Sequence, residues 1–381
     1  MNTKRRSPNR SGSVAVLALC LMVALLAVLA LAVDIGYLSC VDAELQRTAD
    51  AAAIAGAWRL VEQEGSGTPI DSHALAQIAA TANQFAAFNP VARGVITLAA
   101  TDADIGQLAY PFSAGSAMSY DNPSLFNAVK IRVRKTSEAD GNGPARLFFA
   151  RILGFDSCDL QREATAAFVN NFQGFRAPSD GTNLDILPFA LDKETWDSLL
   201  GGLTTDQYRW DPDARRVRAG SDGLWEANLY PQGTGSPGNR GTVDIGPANN
   251  STADLCRQIR QGISASDLAA LGGKLEFDQT GRLYLNGDTG ISAGVKDDLA
   301  SIVGQTRIIP LFTQVTGPGN NAQYTIVRFV GVRIMYVKLT GSPAQKQVLV
   351  QPASVVARGA IPSTAPNPTS QFIYSPVWLV H

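Results

Sequence analysis

Residues 14–33, VAVLALCLMVALLAVLALAV, contain no charge, proline or glycine. A hydrocarbon core about 30 Å thick is crossed by about 20 helical residues at about 1.5 Å each, so this run has the length of one crossing. In hydrocarbon a lone segment satisfies its own peptide groups only as a helix. Lys4, Arg5, Arg6 and Arg10 precede the run and Asp34 closes it. That asymmetry places residues 1–13, a basic N-terminus, in the cytoplasm and everything beyond Asp34 outside it. Ala30-Leu31-Ala32 matches a signal-peptidase pattern, so cleavage is the rival reading. The apolar run is longer than the roughly 7–15 residues of a signal core, and the sequence after it stays helical, which favours a retained anchor.

The 381 residues carry a net charge of −1, which offers nucleic acid or anionic lipid no overall attractive field. Only 17% of residues are charged, while 35 glycines and 20 prolines fit turn-rich β structure beyond the anchor. The length suits two domains, or one large domain with an extension. Cys20, Cys40, Cys158 and Cys256 form no C-x-x-C pair, so zinc is not indicated. Cys158 and Cys256 are either a disulfide or two free buried thiols; spacing alone leaves both open.

Residues 34–60, DIGYLSCVDAELQRTADAAAIAGAWRL, are rich in strong helix formers. Leu38, Val41, Leu45, Ala49, Ala52 and Gly56 recur at steps of three and four and make one apolar stripe, with Asp42, Glu44, Arg47 and Asp50 largely off it. A continuous helix from residue 14 to 60 would be roughly 70 Å long. The narrow stripe of small residues suits close packing, either on the protein's own domain or on a second long helix. Gly36 and Gly56 would bend the helix or admit a close neighbour.

These residues resemble a known family. Arg10, Gly12 and Val14-Ala15-Val16 enter the span. Ala32-Val33-Asp34-Ile35-Gly36 leaves it, followed by Glu44-Leu45-Gln46 and Ala49-Asp50-Ala51-Ala52-Ala53. The order and spacing are similar to the N-terminal domain of TadG-like proteins of the Flp/Tad pilus-assembly family. Three later blocks resemble longer TadG-like chains: Gly241-Thr242-Val243-Asp244-Ile245-Gly246, Asn249-Asn250-Ser251-Thr252-Ala253-Asp254, and residues 285–292. One departure matters. Prepilins of this kind place a Glu five residues past the cleaved Gly, and the position counted from Gly12 is Leu17. The resemblance therefore implies an uncut anchor and not a major pilus subunit.

Beyond Gly65, Asp71-Ser72 caps a second helix with Leu75, Ile78, Ala82 and Phe85 on one face, ended by Asn89-Pro90. Residues 95–98, 129–135 and 161–169 read as strands, the second alternating apolar with basic side chains. Residues 144–153 read as a helix between Pro144 and Gly154. Residues 171–182, NFQGFRAPSDGT, read as a linker. Then come a strand at 186–191, short helices capped by Asp192, Ser251 and Ser292, a hairpin around residues 278–282, and the strongest strands at 306–315, 324–339 and 347–356. The expected fold is α+β and membrane-anchored. Its parts are the span at 14–33, a helical extension with a small α/β unit at 34–171, a β-rich domain at 183–361, and an extended Pro-rich tail at 362–381.

No catalytic, cofactor-binding or metal-binding constellation stands out. His73 lies near a helix start, where a surface residue is the simplest reading, and His381 is terminal, so a Ser–His–Asp site lacks a base. Asp288-Thr289-Gly290-Ile291-Ser292 approaches the D-x-S-x-S metal motif of the von Willebrand A domains found in some TadG-like proteins, but Gly replaces the first Ser and a turn is the simpler reading. Arg215, Arg216 and Arg218 read as a solvated basic turn. The expectation is a non-catalytic, single-pass protein of the cytoplasmic (inner) membrane with no cofactor and no small-molecule or nucleic-acid ligand. By resemblance its partners are other Tad/Flp assembly proteins or pilins. The alternative is an extracytoplasmic adhesion or ligand-binding protein using the same anchor.

Overall fold

The computed structural model describes residues 11–65, 69–113, 115–138, 140–230, 240–247, 251–288, 293–317, 321–363 and 368–380. The basic residues 4–10, Asn249-Asn250, the metal-like residues 289–292 with the Ser292 cap, and the turn at 318–320 lie outside them. The span and its extension form one unbroken helix, α1 (Ser11–Gly65). A second helix, α2 (Ser72–Ala87), begins at Asp71, whose Oδ1 accepts from the Ala74 N–H at 2.9 Å. Contacts divide the chain into two compact units: residues 1–56, 79–104 and 129–166, and residues 57–78, 105–128 and 167–381.

In the first unit the stripe on α1 is covered from within. Val41, Leu45, Ala49 and Ala52 are buried. A Cβ placed on Gly56 would meet Val129 Cγ1 at 3.0 Å and Ala82 Cβ at 3.5 Å, so this glycine lets strand and helix approach. Gly36 meets nothing within 4 Å. Strands β1 (Ala128–Lys135) and β2 (Leu160–Ala167) are sheet neighbours. The basic face of β1 is paired: Lys130 and Arg132 each lie 2.7 Å from Glu163 on β2, and Arg134 lies 2.8 Å from buried Asp102. Arg162–Asp42 at 2.6 Å and Gln46 donating to the Glu163 carbonyl tie β2 to α1. Residues 95–98 form no strand, and a short strand at Ala103–Gly106 takes that role. Polar side chains hold 97–98 instead, through Asn142 and Asn83.

The second unit is built on a barrel. The strands of this unit include β3 (Phe172–Arg176), β4 (Phe189–Asp192), β5 (Arg240–Val243), β6 (Lys274–Glu276), β7 (Leu283–Asp288), β8 (Thr306–Thr316), β9 (Ala322–Lys338) and β10 (Gln347–Pro352). The ring runs β9–β7–β5–β4–β8 and closes because β8 also pairs with β9. Only the β4–β8 step within the ring is parallel. Alternation along β4 sends Ala190 to one apolar cluster, and Phe189 and Leu191 to another. The second cluster is covered by α3 (Lys193–Leu200), α4 (Thr252–Gln261) and α5 (Lys296–Ser301), through Trp196, Leu199, Leu255, Ile259 and Leu299.

Three sequence expectations need correction here. The stretch 171–182 is no free linker: it holds β3, with Phe172 and Phe175 buried, paired to β6 on one side and to Ala360–Pro362 on the other. The hairpin around 278–282 is a turn, closed by Asp278 accepting from Thr280 and Arg282, but its flanks pair elsewhere, β6 with β3 and β7 with β9 and β5. Residues 370–374 enter the core as short strands, with Ile373 and Tyr374 buried. The glycine-bearing blocks gain a packing reason. A Cβ on Gly241 would sit 2.2 Å from Tyr324 Oη, and one on Gly287 2.9 Å from the same ring, so both leave room for the buried tyrosine.

Candidate functional site at the exit of the anchor helix

Along α1 the environment changes at one residue. From Val14 to Val33 nearly every large side chain is exposed, and this stretch is long and apolar enough to be a candidate membrane anchor. Asp34 is the first buried residue of the described helix apart from the half-buried Ala30. Its carboxylate accepts the peptide N–H groups of Phe148 at 2.8 Å, Phe149 at 3.0 Å and Ala150 at 2.6 Å. One turn later Tyr37 meets the Phe148 ring edge-on, centroids 5.0 Å apart.

The partner of Asp34 is a closed loop. Ala145–Arg146 pairs with Ser157–Cys158, and the Leu147 N–H donates to the Asp156 carbonyl at 3.0 Å, which shuts the base. Residues 144–153 are therefore not the helix expected from Pro144 and Gly154. Only a 3-10 turn, Ala150–Leu153, forms, and Gly154 ends it with φ 88°. Three of the loop's donors turn towards one carboxylate, geometry that a continuing helix would forbid.

The sequence named no site residue at this exit, although Asp34 stood in the motif that carried the resemblance. Nothing local pairs it with residues more than 110 positions away. The one available signal was a loop sequence, LFFARILGF, too apolar for its surroundings.

Elsewhere, one titratable group stands apart. Burial pushes the Glu64 carboxyl up to about 8, against the hydrogen bonds from Asn170 and Tyr374. The residue as a whole is half-buried, and Oε1 is sealed from water. Glu64 stands thirty residues past the apolar run, in the second unit. His73 is exposed, with Nε2 2.8 Å from Gln77 Nε2. Arg215, Arg216 and Arg218 lie in and beside the turn of an exposed hairpin, Tyr208–Asp211 with Arg216–Ala219, where Arg218 pairs with Asp211 at 2.6 Å. All four cysteines are free. Burial and the neighbouring Asp298 push the Cys256 thiol up to about 11. Asp288 ends β7, and its carbonyl accepts from Tyr324 Oη at 3.2 Å. Among the described residues no group of three His, Cys, Asp or Glu is placed to hold a metal.

Two family models match the chain. The TadE/G-like Flp pilus-assembly model covers residues 12–59, and the Tad-like Flp pilus-assembly model covers residues 55–166. Neither reaches residues 167–381, and no curated protein or solved structure matches the chain.

Proposed function

We infer, from a chain that belongs through residues 12–166 to the TadG-like proteins of the Flp/Tad pilus-assembly family, that it serves pilus assembly as a single-pass anchor. Residues 1–13 face the cytoplasm, the span crosses the inner membrane, and both compact units lie outside the cytoplasm. The protein works by position and contact: α1 sets the location, and the folded units present surface to other assembly components or to pilins. The observation that carries this reading is the switch along α1 from a bare apolar rod to a helix buried by its own fold at Asp34. The Ala-rich stripe, already covered by α2 and β1, is spent on intramolecular packing, so partner recognition falls to other surfaces.

The test is carbonate extraction of membranes followed by protease treatment of spheroplasts, with co-purification from mild detergent. The expected product resists carbonate, keeps residue 14 at its N-terminal side, is digested from outside, and brings Tad secretion components with it. A mature chain starting near residue 33 and released by salt would refute the anchor; glycans or foreign surfaces in place of Tad components would refute the assembly role.

A further inference from the structure

The 148–155 loop exposes five large apolar side chains within eight residues. Ile152 is 80% exposed, Leu153 77% and Phe155 66%, with Phe148 and Phe149 also exposed. No carboxylate lies between Leu147 and Phe155, and the one charge is Arg151. Its height along the anchor is fixed. Asp34, which binds the loop's backbone, directly follows the last apolar residue of the span, and Tyr37 packs on Phe148 where interfacial aromatics belong. The backbone is also fit for an apolar setting. The N–H groups of 148, 149 and 150 go to Asp34, and those of 147, 152, 154 and 155 go to carbonyls of the loop itself.

We propose that the 148–155 loop inserts Phe148, Phe149, Ile152, Leu153 and Phe155 into the interfacial layer of the lipid leaflet from which α1 emerges. The first compact unit then meets the bilayer through two elements, the span and this loop, with Arg151 reaching for phosphate groups. Two attachments restrain rotation and tilt about α1, which one flexible stalk would not. The inference rests on the anchor reading above.

Nitroxide labels test it on the full chain in phosphatidylethanolamine–phosphatidylglycerol vesicles, with the four native cysteines replaced. Leu25→Cys reports the middle of the span, Ile152→Cys and Leu153→Cys the loop. Val95→Cys is the control: its turn is held by Glu44 accepting from the Ala92 N–H at 2.7 Å, ten residues and about 15 Å farther along α1 than Asp34. All four side chains are exposed, so labelling leaves the core intact. The expected result is a several-fold excess of oxygen over nickel-chelate collisions at 25, 152 and 153, reversed at 95. Water-like labels at 152 and 153 with a lipid-like label at 25 would overturn the loop and spare the anchor. A water-like label at 25 would overturn both. Labels at 152 and 153 shielded from both reagents would mean a protein cover, and would overturn the lipid assignment.

Discussion

Replacing Glu64 with Gln should remove a dependence of stability on pH that the wild-type chain carries between about 4.5 and 8. The ordinary value for this carboxyl is 4.5 and the folded value is about 8, so the native state holds a proton that the unfolded chain releases. A raised folded value means the stabilisation is complete below 4.5 and is lost as pH rises to 8. At about 1.4 kcal/mol per pH unit, the loss across that window is at most about 5 kcal/mol. The residue is only half-buried, so water screening lowers that figure. Glutamine keeps the shape and needs no proton, so its stability should stay level. The assay is urea unfolding in detergent at pH 5, 6.5 and 8, read by the fluorescence of Trp196, buried in the same unit. Other titrations cancel in the difference between the two proteins. Curves that stay parallel from pH 5 to 8, or a wild-type chain that gains on the variant as pH rises, would refute a protonated Glu64.

Three further outcomes follow from the packing. Asp34→Ala should speed hydrogen exchange at the amides of Phe148, Phe149 and Ala150 by at least tenfold while the α2 amides keep their protection; unchanged exchange at all three would show that the carboxylate does not hold them. Gly56→Ala should cost about 1 kcal/mol or more, because Val129 is buried and its Cγ1 would lie 3.0 Å from the new methyl, whereas Gly36→Ala, in open space, should leave the melting temperature level or raise it by the helix-propensity gain of up to about 1 kcal/mol. Alkylation of the unreduced, denatured chain should add four labels, one per cysteine, and in the folded chain Cys256 should react more slowly than Cys40 and Cys158 outside the span, since its thiol is held near 11.

Three of the helix caps were legible from the sequence. Asp71, Asp192 and Ser251 each accept an N–H of the turn they begin, because a cap involves only the next three residues. The long strands at Thr306–Thr316 and Ala322–Lys338 fall within a few residues of their expected bounds, since both stretches are rich in β-branched and aromatic residues. The stretch at 171–182 misled for the converse reason: its Gly, Pro and Asp mimic a linker, yet Phe172 and Phe175 find a buried slot between Lys274–Glu276 and Ala360–Pro362. Turn residues describe the local bend and say nothing of what packs on either side.

The sequence by itself determined that one apolar run fits a bilayer, that the helix continues past it, and which family the motifs between Arg10 and Ala53 resemble, because length, period and motif order are properties of neighbouring residues. The tertiary structure decided that Asp34 grips a loop more than 110 positions away, that β8 closes a ring with β4 and β9, and that burial raises the Glu64 carboxyl. Each of those depends on which distant groups share a dielectric environment and a hydrogen-bond partner once the chain has collapsed, and no local pattern records that choice.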